Sequence, residues 1–292
     1  MIEIRPSRPE EIARQKELWK QAFHDEDAYI DFFYDHAVKP EDVMVLLEDA
    51  RVLSMLVLLP VTLALPDGSA ASSSYIYALA TDSAQRKRGF GRQLLKYTDF
   101  YLRDRGLDCV TVVPAEVSLH KFFSTVGFSE CFATRKAELL RGMVSAPAPE
   151  DRAEEAGAGE YLRIREARLA GTFHVVYGEE LIACQQGVSR MERGGLLRLE
   201  VDGEEGVAAA EYFNKDSVLV KELVISPERM ERAAALIAAQ MPAVRYHIRT
   251  PALWQGLPGS YIQAFGMVKW FDREKERLWQ SDKKAYLGLG FD

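Results

Sequence analysis

The sequence predicts a two-domain protein of mixed α/β class. Three observations predict it: a length of 292 residues, an alternation of strand and helix signals in the first half, and a Pro- and Gly-rich stretch near the middle that is poor in large apolar side chains. A chain of this length suits two domains, each long enough to bury its own core. The composition, 48% hydrophobic and 28% charged, is that of an ordinary globular protein. Residues 145–159 carry Pro, small residues and charge, so they are expected to be a linker between domains at 1–144 and 160–292.

Residues 1–5 alternate apolar and polar, as a short strand does. Ser7 is the expected cap of the first helix, and Glu10, three residues on, would complete a capping box. Ile12, Trp19 and Phe23 lie near one face of that helix. A second helix over 28–37 carries Ile30, Phe33, Tyr34 and Ala37 on its apolar side. Residues 43–47, 52–65 and 73–81 are rich in β-branched, leucine and aromatic side chains, with turn signals at Glu48-Asp49 and Asp67-Gly68. They predict an antiparallel meander of three strands. The next helix starts near Gly89 and stops at Gly106, with Phe90, Leu94, Leu95, Thr98, Tyr101 and Leu102 as its buried stripe. A buried strand over 109–113 then ends at Pro114. A short helix over 118–126 ends at Gly127, and a further strand runs from Phe128 toward Leu139.

The second half repeats this pattern in reduced form. Residues 196–201 and 207–213 flank a turn at Asp202-Gly203, and a third strand over 218–225 feeds a helix capped by Ser226 with Pro227 at its first position. Met230, Ala233, Ala234, Ile237 and Met241 make the apolar face of that helix, Pro242 stops it, and 244–248 is a strand. The order strand–strand–strand–helix–strand matches the order over 43–113, without identity at the level of residues.

Charge and composition exclude several functions. A net charge of −7 provides no global basic field, so neither nucleic acid nor an anionic membrane is an expected partner. Cys109, Cys131 and Cys184 are scattered and odd in number, which fits a reducing compartment. The five histidines form no H-x-x-x-H pair, so no metal site is expected. There is no signal-peptide core at the start, and the longest apolar run, 52–65, is interrupted by Ser54, Pro60 and Thr62. A cytoplasmic location is the expectation, and self-association is left open.

The chemistry concentrates in residues 75–128. A strand ends at Leu79-Ala80-Thr81, a polar cationic loop comes next, and Gly89-Phe90-Gly91 opens a long helix. Backbone N–H groups at a glycine-rich helix start converge on one spot, and the helix dipole adds partial positive charge there. Arg86, Lys87, Arg88 and Arg92 supply full charges around the same point. These features make a site for a pyrophosphate. Dinucleotide folds do not fit, because the glycines are not G-x-G-x-x-G and come after a meander. No Gly-Lys-Ser/Thr ends the loop, which excludes a nucleotide-hydrolysing phosphate loop.

The loop Arg86-Lys87-Arg88-Gly89-Phe90-Gly91, between strand and helix, resembles the acetyl-CoA loop of the GNAT acyltransferase superfamily, Gln/Arg-x-x-Gly-x-Gly/Ala. Phe123-Ser124-Thr125-Val126-Gly127-Phe128 is similar to that family's later aromatic-x-x-x-Gly-Phe element. The helix pair through Trp19 and Phe33, together with a second half lacking the loop, resembles the tandem-GNAT aminoglycoside acetyltransferases related to the enhanced-intracellular-survival protein. The resemblance implies a GNAT fold with a second, degenerate GNAT-like domain. It also implies acetyl-CoA as cofactor and transfer to a primary amine of a small molecule or peptide. It places the cofactor against Leu79, Ala80, Thr81, Arg86, Lys87, Arg88, Gly89, Phe90, Gly91, Arg92 and Phe123, with a backbone N–H near Ala80 as oxyanion donor.

The family's usual acid, a Tyr of the short helix, falls at Phe123, and its frequent Glu base falls at Thr111. Neither can move a proton in that role. Glu116, just after Pro114, and the carboxylates of Asp292 are the candidate catalytic groups that remain. The Asp292 candidacy comes from the tandem group, in which the terminal carboxylate can serve as base. Ile225-Ser226-Pro227 passes from strand to helix with no glycine-rich insertion, so the second half is expected to bind no acetyl-CoA and to wall the acceptor cleft.

Overall fold

The computed structural model describes residues 1–279 and 285–291. Strand β1 (Ile2–Pro6) is followed by helices α1 (Ile12–Phe23) and α2 (Asp27–His36). Strands β2 (Val43–Glu48), β3 (Arg51–Ala64) and β4 (Ala70–Thr81) form the expected meander. Helix α3 (Phe90–Asp104), β5 (Cys109–Val112), α4 (Val117–Ser124) and β6 (Ser129–Leu140) complete the first half. The second half runs β7 (Arg152–Glu155), α5 (Ala158–Leu169), β8 (His174–Tyr177), α6 (Glu179–Met191), β9 (Gly195–Val201), β10 (Glu204–Asn214) and β11 (Ser217–Val224). It ends with α7 (Met230–Gln240), β12 (Arg245–Pro251), β13 (Tyr261–Trp270) and α8 (Arg273–Leu278).

The chain forms two compact units, and neither is a single stretch of sequence. The first holds Met1–Thr62, Ala71–Glu130 and Met267–Arg277; the second holds Leu63–Ala70, Cys131–Gly266 and Leu278–Asp292. In the first unit the strands lie in the order β1, β2, β3, β4, β5, and the end of β13 is added at the last edge. That edge pairing is antiparallel, Met267 opposite Val112 and Trp270 opposite Cys109. In the second unit the order is β6, β12, β11, β10, β9, β7, with β6 antiparallel to β12 and Ala137 opposite Ile248. Each sheet is therefore finished by a strand from the other half of the sequence.

Hydrophobic periodicity places the cores where the sequence puts them. In the first unit Phe90, Leu94, Leu95 and Leu102 of α3 pack on Met44, Leu56, Ile76 and Val110. In the second, Met230, Ala233, Ala234 and Ile237 of α7 pack on Val218, Val220, Leu223 and Tyr246. On the other side of the first sheet, the Trp19 ring stands edge-on to Phe33 at 5.3 Å and to Tyr77 at 5.4 Å, fixing α1 and α2 over β4.

Three local expectations change. Ser7 does not cap the first helix: a 3-10 turn, Pro9–Glu11, leads into α1, its cap residue Arg8 donates its N–H to Glu11 Oε2 at 2.8 Å, and buried Ser7 gives its hydroxyl to the Pro40 carbonyl. The first hairpin turns on Asp49 and Ala50, both at positive φ, one residue later than Glu48-Asp49. Within 145–159, Arg152–Glu155 is a strand paired antiparallel with β9, and Ala156 is buried. With α5 and α6, that strand makes the second unit's pattern as full as the first's. The Asp202-Gly203 turn has positive φ at both residues, the conformation this dipeptide favours in hairpins.

Candidate cofactor and active site

The site begins where β4 leaves β5. The two strands pair in parallel from Ser73 with Cys109 to Ile76 with Val112, and there β5 stops. β4 continues to Thr81, so the backbone past Ile76 on that side has no β5 partner. Inside this stretch Ala78 has φ +48°. A left-handed residue with a Cβ costs of order 1–2 kcal/mol and kinks a strand, and such kinks gather at functional sites. The end of the strand is pinned by Ser54, whose hydroxyl donates to the Ala80 carbonyl at 2.8 Å and lies 2.8 Å from Thr81 Oγ1.

The next loop is built from turns. Asp82 Oδ1 accepts from Ala84 N at 2.9 Å, capping the short 3-10 turn Ser83–Gln85. Lys87 and Gly89 then have φ +67° and +82°, with Gly89 at the cap of α3. Left-handed residues alternating with ordinary ones turn successive N–H groups into one concavity, and the α3 dipole adds to it. Gly89 is required by its φ. Gly91 is not required by the fold: a Cβ there would sit 3.6 Å from Thr81 Oγ1, an ordinary contact.

The four cations separate into two pairs. Arg86 and Lys87 are exposed and make no ion pair among the described residues, so their charge is available to an anion. Arg88 is bound to Glu48 of β2 at 3.0 and 2.7 Å, and its guanidinium lies over the Phe90 ring at 4.5 Å. Arg92 donates to Thr125 Oγ1 at 3.0 Å, joining α3 to the end of α4. Arg88 and Arg92 thus brace the loop's surroundings.

Leu79, Ala80 and Thr81 end β4 beside the loop, and Phe90 is buried under α3. Phe123 is 4% exposed and packs on Phe122 and Phe128, a core position. Thr111 is fully buried and its hydroxyl faces the Ser74 carbonyl at 3.4 Å. Glu116 is exposed at the cap position of α4, where its carboxylate accepts from Ser118 Oγ at 3.1 Å. His120 lies 2.6 Å from Glu130. Tyr75 and Tyr77 point to one face, and the Tyr77 hydroxyl is 2.8 Å from that of Tyr29. Burial, and after it the Tyr29 hydroxyl beside it, hold the Tyr77 hydroxyl well above its ordinary range. Asp292 lies outside the described residues. Asp82 at the root of the loop, and Arg14 and Glu48 outside it, escape a sequence reading in these roles; the one available signal is an Asp placed as a cap directly after a strand.

The second unit repeats the backbone and fills it differently. β11 pairs in parallel with β12 from Ser217 with Arg245 to Val220 with Ile248, then runs on to Val224. The next helix starts without a glycine loop: the 3-10 turn Pro227–Arg229 leads into α7, and the cap residue of that turn, Ser226, donates its N–H and hydroxyl to Glu204 at 3.1 and 2.9 Å. A carboxylate of the unit itself therefore occupies the helix start. Beyond Val220, fully buried Glu222 accepts from Arg165 Nε at 2.9 Å and from the Tyr161 hydroxyl at 2.5 Å. The tail segment lies over this pair: Arg165 reaches the Leu287 carbonyl at 3.3 Å, and Gly288, at φ +82°, passes too close to Glu222 to accept a Cβ.

Among the described residues no cluster of His, Cys, Asp and Glu is placed to hold a metal, and no helix is long and apolar enough to cross a membrane. Residues 3–130 match the family model described as an acetyltransferase (GNAT) domain. These residues form a GNAT domain. No curated protein matches the chain in sequence. Among solved structures, a conserved Enterococcus faecalis V583 protein of unknown function, described as a probable N-acyltransferase, is similar with a TM-score of 0.74. It is 12% identical over 93% of this chain and 73% of its own. Eis1 from Mycobacterium abscessus is similar at a TM-score of 0.68, 12% identical over 94% of this chain and 75% of its own. A tandem GNAT protein of the clavulanic acid biosynthesis pathway has a TM-score of 0.56 and 14% identity over 92% of this chain and 98% of its own. At such identities the likeness is one of fold: a GNAT-type mixed α/β architecture in which a second GNAT-like unit comes after the GNAT domain.

Proposed function

We propose that the protein is an acetyl-CoA-dependent N-acetyltransferase acting on a primary amine of a small molecule or peptide. The observation that carries this reading is the pairing of two features in one domain: a loop with Lys87 and Gly89 left-handed at the start of α3, and a β4 strand that runs on to Thr81 after its pairing with β5 ends at Ile76. The loop suits the cofactor diphosphate, with Arg86 and Lys87 as its charges and Gly89, Phe90 and Gly91 supplying N–H groups and close approach. The β4 edge at Leu79, Ala80 and Thr81 suits the amides of the pantetheine arm, and an N–H near Ala80 suits the tetrahedral oxyanion. Attack by the neutral amine on the thioester carbonyl, followed by loss of the thiolate, needs a proton acceptor. Glu116 and Asp292 are the groups proposed for it. The second unit, where Glu204 already accepts from Ser226 ahead of α7, binds no cofactor.

The test is release of free thiol from acetyl-CoA across a panel of amines, with a titration of cofactor stoichiometry. Amine-dependent thiol release and one cofactor per chain are expected; two cofactors per chain would refute the role given to the second unit. Deletion of Asp292 and Glu116→Gln then separate the two proton acceptors. A second reading is favoured by one observation: both of the family's usual acid and base positions, Phe123 and Thr111, are core residues. On that reading the protein binds acyl-CoA without turnover, and the titration succeeds while no amine yields thiol.

A further inference from the structure

The phosphate loop carries its cations on a backbone that does not hold itself. Lys87 takes a left-handed conformation that side-chain-bearing residues avoid, and Arg86 and Lys87 are exposed. The loop's fixed point is Asp82, 5% exposed, at its first residue. Five interactions converge there. Asp82 N donates to the Leu53 carbonyl at 2.8 Å, and Gln85 N donates to the Asp82 carbonyl at 2.8 Å. Its Oδ1 accepts from Ala84 N at 2.9 Å. Its Oδ2 accepts from Arg14 of α1 and, at 3.3 Å, from Arg51 of β3. Arg14 is in turn held by its Nε bond to the Val52 carbonyl at 3.2 Å and by Glu17 at 2.7 Å.

This arrangement solves an electrostatic difficulty. A carboxylate at the root of an anion-binding loop would repel a diphosphate unless its charge were taken up elsewhere. Arg14 and Arg51 take it up from the side away from the 3-10 turn, leaving Arg86 and Lys87 unopposed. We propose that Asp82 is a positioning residue for the cofactor diphosphate: it sets the loop in its binding shape and ties it through Arg14 to α1. The proposal rests on the acetyl-CoA reading.

Asp82→Ala removes both the cap and the ion pairs, Asp82→Asn keeps an acceptor for Ala84 N, and Arg14→Met removes only the tether to α1. CoA binding is measured by calorimetry on the whole chain, with acetyl-CoA KM, kcat and thermal midpoint alongside. Asp82→Ala is expected to raise the Kd of CoA and the KM of acetyl-CoA by about tenfold or more with kcat within about twofold, the pattern of lost ground-state binding. Asp82→Asn is expected to recover most of that affinity, and Arg14→Met to lose affinity by about threefold. If Asp82→Ala does not fold, Arg14→Met still decides the matter. CoA affinity unchanged from wild type in either folded variant, with only the thermal midpoint lowered, overturns the proposal and leaves a merely structural Asp82. A wild-type protein that binds no CoA is a different outcome, which overturns the acetyl-CoA reading itself.

Discussion

Both units part a strand from its parallel neighbour after the same four-residue pairing, 73–76 with 109–112 in one and 217–220 with 245–248 in the other. Beyond the parting the two units diverge. In the GNAT domain β4 runs past its β5 pairing into a loop with Lys87 and Gly89 left-handed and with Arg86 and Lys87 exposed. In the second unit the helix start is answered by Glu204, and the strand beyond Val220 turns a buried Glu222 to Arg165, Tyr161 and the passing tail. One backbone thus serves two ends. In the first unit Arg86 and Lys87 stand exposed beside the helix start; in the second the unit's own carboxylate answers the donors there.

The comparison can be broken most severely at the strand that finishes the first sheet. A chain ending at residue 144 lacks Met267–Arg277, and with it the Lys269 amine that bonds Asp99 and, at 2.7 Å, the Val126 carbonyl. Such a chain is expected to show no cooperative unfolding in urea followed by circular dichroism, because β5 is left as a bare edge. A sharp transition would mean that the first unit stands without its borrowed strand. Next in size is Glu222→Ala. Removing one partner of a fully buried pair strands the Arg165 charge, so a loss of about 3–5 kcal/mol is expected in denaturant midpoints. The GNAT domain's CoA affinity should be unaltered in the protein that remains folded, since Glu222 belongs to the closed counterpart.

The smallest effect separates the two loop glycines. Gly89→Ala must place a Cβ at φ +82° and is expected to lose about 1–2 kcal/mol of stability along with CoA affinity. Gly91→Ala has room for its methyl beside Thr81 and should leave stability within about 0.5 kcal/mol while still weakening CoA, if close approach of the cofactor is the property glycine provides there. Equal stability losses at both positions would contradict the assignment of fold to one and ligand to the other.

Much of the molecule is written locally in the chain. The β2–β4 meander, the loop, α3 and the Asp202-Gly203 turn arise from short-range pattern and turn chemistry, and the structure has them where those signals stand. Helices α5 and α6 of the second unit do not announce themselves, because polar side chains interrupt their apolar inner faces. α5 buries Arg165, and α6 buries Gln185 and Ser189, so the stripe that marks α3 is absent from both. The edge strand Arg152–Glu155 has the composition of a linker and owes its conformation to β9. Strand exchange is further out of reach, since nothing within residues 261–270 says that its partner is β5. The site shows the same division. Gly89 and the cations are legible as a motif, whereas Arg88 turned to Glu48 and Asp82 held by Arg14 are facts of packing. They also correct the even role that the sequence gives to all four cations.

The strand Met267–Trp270 also sets an order of events. During synthesis β5 emerges early, but the segment that pairs with it comes more than half the chain later. At ordinary elongation rates the wait is roughly 10–30 s. Through that interval the nascent first half presents an open edge of Cys109, Val110, Thr111 and Val112, all buried in the finished protein. Such an edge invites pairing with other chains. The first sheet therefore closes only once Met267–Trp270 has been made.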